Sequence, residues 1–307
     1  MFFRPSITFL AALLLWSSLL PTADALSKDV LVAIFAHPDD ETTVAPLLAH
    51  YGNQGAEVYV ICVTSGQQGT AFTSIPAGPL LGAAREAELT TACASYGIHP
   101  PRLLQEQDGQ LASYTPAQIT TIKQNVRTFL ISVGATVLVT FGPEGFTGHT
   151  DHITVGNLVT ELVDAWYAEP NPVLAPQKLY YSMFPQSLYP SLPVSLQFFV
   201  PVPDAEATTF FDAISGVAQA QAGVDAYVTQ FPPSVMTDIK NFMGNIQQGQ
   251  IPLRLVRTKN GMLYANEASV FDNVVGVSVG GAAAAATFLL LVSAGCRRAK
   301  NKGDATS

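Results

Sequence analysis

Apolar residues in this chain gather into short unbroken runs. Asp29 to Phe35 (DVLVAIF), Glu57 to Thr64 (EVYVICVT), Thr136 to Phe141 (TVLVTF) and Lys178 to Met183 (KLYYSM) are the clearest. Such runs are what strands covered on both faces require, as in a parallel sheet. Between them lie helical patterns: Glu41 to Tyr51, Leu81 to Tyr96 ended by Gly97, and Asp151 to Tyr167. A further helix to about Ser132 is opened by Thr115 as cap and Pro116 at its first position. The alternation predicts an α/β fold: an open, mostly parallel, Rossmann-like sheet with helices on both faces. Pro185 to Pro203, rich in proline and aromatic residues, reads as a long ordered loop or edge strands. No internal repeat is visible.

The two ends change the picture. Arg4 precedes an apolar stretch from Ile7 to Leu20, and small residues stand at Ala23 and Ala25. That order predicts a cleaved signal peptide over 1–25; the stretch is shorter than the ~20 residues a membrane span needs. Val274 to Cys296 carries no charge, and Arg297, Arg298, Lys300 and Lys302 follow at once. This predicts a transmembrane helix over 274–296 and a basic cytoplasmic tail over 297–307. The domain between, 26–273, is then exported and held to the membrane by a single pass. The terminal segments hold five of the 15 Lys+Arg but only two of the 23 Asp+Glu, so the domain is more acidic than the chain's −8. Nucleic acid is excluded as a partner on that ground. No asparagine stands in an Asn-x-Ser/Thr sequon, which favours a bacterial envelope over the eukaryotic secretory route. Cys62 and Cys93 read as small buried residues.

Three of the five histidines sit with carboxylates just beyond two of the strands. The first cluster, AHPDDE, holds His37, Asp39, Asp40 and Glu41; the second, GHTDH, holds His149, Asp151 and His152. In open α/β sheets, ligands bind beyond the carboxyl ends of the strands. His37 and Asp40 are three apart and can face one point, and His149 and His152 share that spacing. Helix capping explains acidic residues at a helix start, but neither His37 nor a second cluster elsewhere. Two imidazoles, one carboxylate and an open position make a catalytic zinc site, and no cysteine is near to close it. Such an ion acidifies its water and polarises a carbonyl. A base outside the ligand set must take the water's proton, which suits Asp39. A second histidine could stabilise the oxyanion or protonate the leaving amine, with Asp151 orienting it.

The pairing of AHPDDE after one strand with HxDH after another resembles the PIG-L/LmbE family of zinc-dependent de-N-acetylases. VTSGQQG after the second strand, Arg85-Glu86-Ala87-Glu88, Asp108-Gly109 and KLYYS extend the likeness over about Val30 to Phe184. The resemblance implies an LmbE-like sheet and hydrolysis of an N-acetyl group from an N-acetylglucosamine-type sugar or glycoconjugate. By motif position it makes His37, Asp40 and His152 ligands of Zn2+, with Fe2+ or another divalent ion as alternative. It makes Asp39 the base that activates the zinc-bound water, and His149 the electrostatic or acid partner oriented by Asp151. Arg85 and Asp108 match substrate-binding positions. The chain departs from many relatives at Gln67-Gln68, Thr147 and Tyr227-Val228-Thr229-Gln230, the last standing where a His-x-Ser/Thr-Gln pattern is usual. Two other readings share these residues: a non-catalytic carbohydrate-binding surface protein, and a zinc amidase acting on a non-sugar amide.

Overall fold

A computed structural model describes residues 29–259. The signal segment 1–25, the span 274–296 and the tail 297–307 lie outside the described residues. Among the described residues no helix is long and apolar enough to cross a membrane.

Five strands run parallel in the spatial order β3-β2-β1-β4-β5: β1 Val30–Phe35, β2 Glu57–Thr64, β3 Arg102–Glu106, β4 Val137–Phe141 and β5 Lys178–Ser182. All six residues of β1 and all five of β4 are buried, as their unbroken apolar runs require. β9 (Gln250–Thr258) joins β5 antiparallel, and β8 (Thr209–Asp212) joins β9. A separate short pair links β6 (Phe184–Pro185) to β7 (Pro201–Val202). The Pro185 to Pro203 region thus contains edge strands and 3-10 turns, as its prolines demand.

The helices are α1 Ala45–Asn53, α2 Pro79–Tyr96, α3 Pro116–Val133, α4 Thr150–Tyr167, α5 Val217–Val224 and α6 Pro233–Asn241. α1, α2 and α5 pack together, and α3 packs with α4; right-handed crossovers in this strand order put the two groups on opposite faces. Thr115 and Gln118 form the capping box that starts α3. The helix expected from Glu41 begins only at Ala45. Asp39 has φ 112°, Asp40–Thr43 form a 3-10 turn, and Val44 at φ −128° breaks the path before Pro46 restarts it. Cys62 and Cys93 are buried and free.

The direction in which successive strands are added across the sheet reverses between β1 and β4, which are parallel hydrogen-bonded neighbours. β1 leads sideways through α1 to β2, and β4 through α4 to β5. Their carboxyl ends leave a crevice, and both clusters open into it. Gly156 lets α4 approach this edge: a Cβ there would sit 2.6 Å from the Phe141 carbonyl oxygen.

Candidate active site

The fold brings the two clusters into contact. His37 Nδ1 lies 3.0 Å from His152 Nε2. Asp40 Oδ1 is 3.1 Å from His152 Nε2, and its Oδ2 is 3.4 Å from His37 Nδ1. Ligands on a tetrahedral ion with bonds of ~2.0–2.1 Å stand about 3.3–3.4 Å apart, the scale of the contacts in this triangle, although Asp40 meets the two histidines through different oxygens; among the described residues, the groups whose single donor atoms all lie within 4.8 Å of one another are His37–His149–His152 and His37–Asp108–Asp151.

Hydrogen bonding explains the orientation. His152 Nδ1 is 2.9 Å from the Gly145 carbonyl oxygen, which assigns the hydrogen to Nδ1 and a lone pair to Nε2. Gly145, at φ +66°, can present that carbonyl where a Cβ would strike Ile153. His37 Nε2 is 3.0 Å from Asp108 Oδ1 and 3.5 Å from Asp151 Oδ2. Both carboxylates lie on the Nε2 side of the ring, and Nδ1 faces His152. Two ring nitrogens and a carboxylate therefore converge, an arrangement that a divalent cation or a shared proton satisfies. Carboxylates behind a ligating histidine are the usual outer support of such a centre. The Phe141 ring stacks on His152 at 4.2 Å and 4° and fixes its plane.

The charges follow from this packing. Burial disfavours a charged His37, but Asp108, Asp151 and Asp40 outweigh it and hold the imidazole well above its usual range. Burial alone would raise Asp40; His152 and His37 overcome it and hold the carboxyl well below the usual range. Asp39 stays outside the triangle. Burial pushes its carboxyl well up, opposed by Arg85, whose Nη2 is 3.6 Å from Asp39 Oδ2. Arg85 is itself buried and donates to the Gly66 carbonyl, with Gly66 and Gly69 leaving room for its guanidinium.

His149 is the N-cap of α4: its Nδ1 accepts from the Asp151 backbone N–H at 3.1 Å. Its ring lies 4.9 Å from that of His37. Burial, then the charges of His37 and His152, lower its pKa. The expected side-chain hold of Asp151 on His149 is not the contact found. Asp151 instead accepts from the Gly109 N–H (2.7 Å) and the Leu111 N–H (3.1 Å) and faces His37. Two backbone donors from the loop after β3 satisfy the carboxylate more fully than one exposed imidazole would. Asp108 accepts from the Gln68 N–H at 2.9 Å as well as facing His37. Thr147 Oγ1 lies 3.0 Å from His152 Nδ1.

Sequence reasoning missed the layer beneath the site. Glu41 is fully buried; its Oε1 accepts from the Tyr96 hydroxyl at 2.9 Å and from the Tyr227 hydroxyl, and its Oε2 from the Asp39 N–H at 3.2 Å. Burial pushes Glu41 up to about 7 despite these donors. Gln230 Nε2 donates to the Pro38 carbonyl at 2.7 Å, and Thr229 binds Glu88 through N–H and hydroxyl, both at 2.8 Å. The Tyr227–Gln230 segment thus clasps the first cluster from behind. Its departure from the family pattern was the available signal.

Fold and site together define a class: an α/β protein with a His/Asp metal-binding group at the switch point of a Rossmann-like sheet. Comparison with known proteins narrows this to a family. Residues 32–163 match the family described as PIG-L, GlcNAc-PI de-N-acetylase. The chain is 30% identical over 242 residues to the 1D-myo-inositol 2-acetamido-2-deoxy-α-D-glucopyranoside deacetylase of Rhodococcus opacus strain B4, covering 67% of this chain and 82% of that relative. The chain belongs to the PIG-L family, and it is an enzyme of the N-deacetylase type. The N,N'-diacetylchitobiose deacetylase of Pyrococcus horikoshii superposes with TM-score 0.56 at 16% identity, covering 83% of this chain and 95% of that one. The 4-carboxy-2-hydroxymuconate hydratase GalB of Pseudomonas putida KT2440 also reaches 0.56 at 16% identity, over 75% and 96%. Likeness at that identity shows the fold alone, and a hydratase among these neighbours means the fold does not fix the reaction.

Proposed function

We propose that this protein is an exported, membrane-tethered, zinc-dependent hydrolase that removes the acetyl group from an N-acetylglucosamine-type sugar or glycoconjugate. The observation that carries the reading is the triangle of His37, Asp40 and His152, with Asp39 beside it but engaged elsewhere. The two imidazoles and one carboxylate would hold the ion; Fe2+ suits the same set. When bound, zinc supplies Lewis acidity at the amide carbonyl and acidifies a water. Asp39, whose carboxyl burial pushes well up against the pull of Arg85, is suited to take the water's proton. His149, neutral because its pKa is lowered, keeps its hydrogen on Nε2 while Nδ1 caps the helix. It can offer that hydrogen to the developing oxyanion. Asp151 acts through His37, and Asp108 and Arg85, which line the same cavity, are assigned to the sugar. Export and tethering rest on the two terminal segments of the sequence.

The test is acetate release from an N-acetylglucosamine conjugate by purified, zinc-loaded full-length protein. Asp39→Asn should retain its zinc by elemental analysis and lose turnover by ~10²–10⁴. Wild-type turnover in that variant would remove Asp39 as base. Protease treatment of intact cells should digest the domain if it faces outward.

A further inference from the structure

The crevice opens into a cavity of about 300 Å³ with two unlike halves. On the side of β1 to β3 its wall is polar, with Asp39, Arg85 and Asp108. On the side of β4, β5 and β9 it is aromatic and aliphatic, with Phe146, Phe184, Phe199, Phe242 and Met243, and Phe231 joins from the segment that clasps the first cluster. The rings form a continuous wall: centroids are 5.0 Å apart for Phe146 and Phe199, 5.2 Å for Phe184 and Phe199, and 5.8 Å for Phe184 and Phe242. Thr147, Ser182 and Gln247 are polar side chains on that side, beside His149 and His152.

We infer that the aromatic half receives the acyl group, so that this enzyme prefers N-acyl chains longer than acetyl. The inference rests on the deacetylase reading and deepens it. A scissile amide has an amine side and an acyl side, and the triangle lies where the two halves meet. The hydroxyls of the sugar need donors and acceptors, which the Arg85 and Asp108 side provides. The acyl carbon chain then continues toward the phenylalanines. Phe146, Phe184 and Met243 are already buried in the wall, so the apolar surface open to a ligand is that of Phe199, Phe231 and Phe242; an acetyl methyl would leave it against water, whereas a chain of four to eight carbons would cover it. The chemistry is unchanged: water adds to the carbonyl carbon, its proton passes by way of Asp39 to the nitrogen, the C–N bond breaks, and a carboxylate and an amine leave.

The test is a series of N-acetyl, N-butanoyl, N-hexanoyl and N-octanoyl glucosamine conjugates with the zinc-loaded full-length protein. We expect kcat/KM to rise about fourfold per buried methylene, the equivalent of ~0.8 kcal/mol, and to level off once the chamber is full. Phe242→Ser should lower the hexanoyl-to-acetyl ratio. Calorimetric titration with acetate, butanoate and hexanoate gives a readout that needs no turnover: binding should tighten with length and show a negative heat-capacity change. The highest kcat/KM for acetyl, with carboxylate affinity independent of length, would overturn the inference. So would a length dependence found in alkyl β-glycosides of N-acetylglucosamine and not in the acyl series, because the chamber would then hold the aglycone. If no amide is hydrolysed, the proposed function fails, and the carboxylate titration still decides what the chamber binds.

Discussion

Tyr227→Phe is the sharpest test of how the first cluster is held. The substitution removes one hydroxyl and nothing else from a side chain with 0% exposure. That hydroxyl shares Glu41 Oε1 with Tyr96, and Glu41 Oε2 holds the N–H of Asp39. Asp39 sits at φ 112°, a conformation that costs a non-glycine residue ~1–3 kcal/mol and persists where its surroundings enforce it. Losing a buried hydrogen bond to a carboxylate costs about 1.5–3 kcal/mol. In a domain of this size that is a fall in Tm of roughly 3–12 °C, taking 2–4 °C per kcal/mol. Because both tyrosines use one oxygen, the Tyr96→Phe and Tyr227→Phe effects should be non-additive by at least ~0.5 kcal/mol in a denaturant double-mutant cycle. Kinetically, Tyr227→Phe should lower kcat, since it loosens Asp39 while keeping the ring that packs 6.0 Å from the cavity-lining Phe231. A stability loss below ~0.5 kcal/mol, or strict additivity with Tyr96→Phe, would refute the clasp.

Three further outcomes follow from named contacts. Gly156→Ala places a methyl 2.6 Å from the Phe141 carbonyl; pushing α4 off β4 should cost ~1–3 kcal/mol and reduce zinc content by elemental analysis, since His152 moves with the helix. Zinc at a thousandfold its Kd should stabilise the wild type by about 4.1 kcal/mol in thermal melts, chelator should reverse the gain, and His152→Ala should show none of it. Arg85 lowers the Asp39 pKa that burial has raised, so Arg85→Met should raise it further. Because the base must be deprotonated to act, the acidic limb of the kcat/KM profile should move to higher pH, and a shift the other way would deny the coupling.

Which parts of this arrangement could be read from sequence depends on how each part is buried. β1, β2, β4 and β5 were legible because a parallel strand covered on both faces leaves no polar position to interrupt the run. Their ends were legible for the same reason: a histidine and carboxylates directly after such a run have nowhere to go but the crevice. β3 and β9 escaped notice because they are only partly buried. β3 carries Arg102 and Gln105, and β9 carries Arg254, which reaches Glu144 at 2.9 Å and also pairs with Glu206. A strand that is half-exposed alternates or mixes, and short mixed segments read as loops.

The same contrast runs through the site itself. Spacing alone put His37 and Asp40 on one point, because three residues across a turn at a strand end leave few other directions. The partners of Asp151 could not be read that way. They are backbone N–H groups of Gly109 and Leu111, 42 and 40 positions earlier in the chain, and a backbone donor has no residue-type signature. The clasp on Glu41 lies farther still: Tyr227 is 186 positions away and Gln230 reaches Pro38 across 192. A local motif can name the side chains that converge on a cation. It cannot name what holds Asp39 in a left-handed conformation, because that work falls to residues with no place in the motif. The Tyr227 hydroxyl directed at the buried Glu41 carboxylate ties the precision of the first cluster to the packing of the last third of the domain.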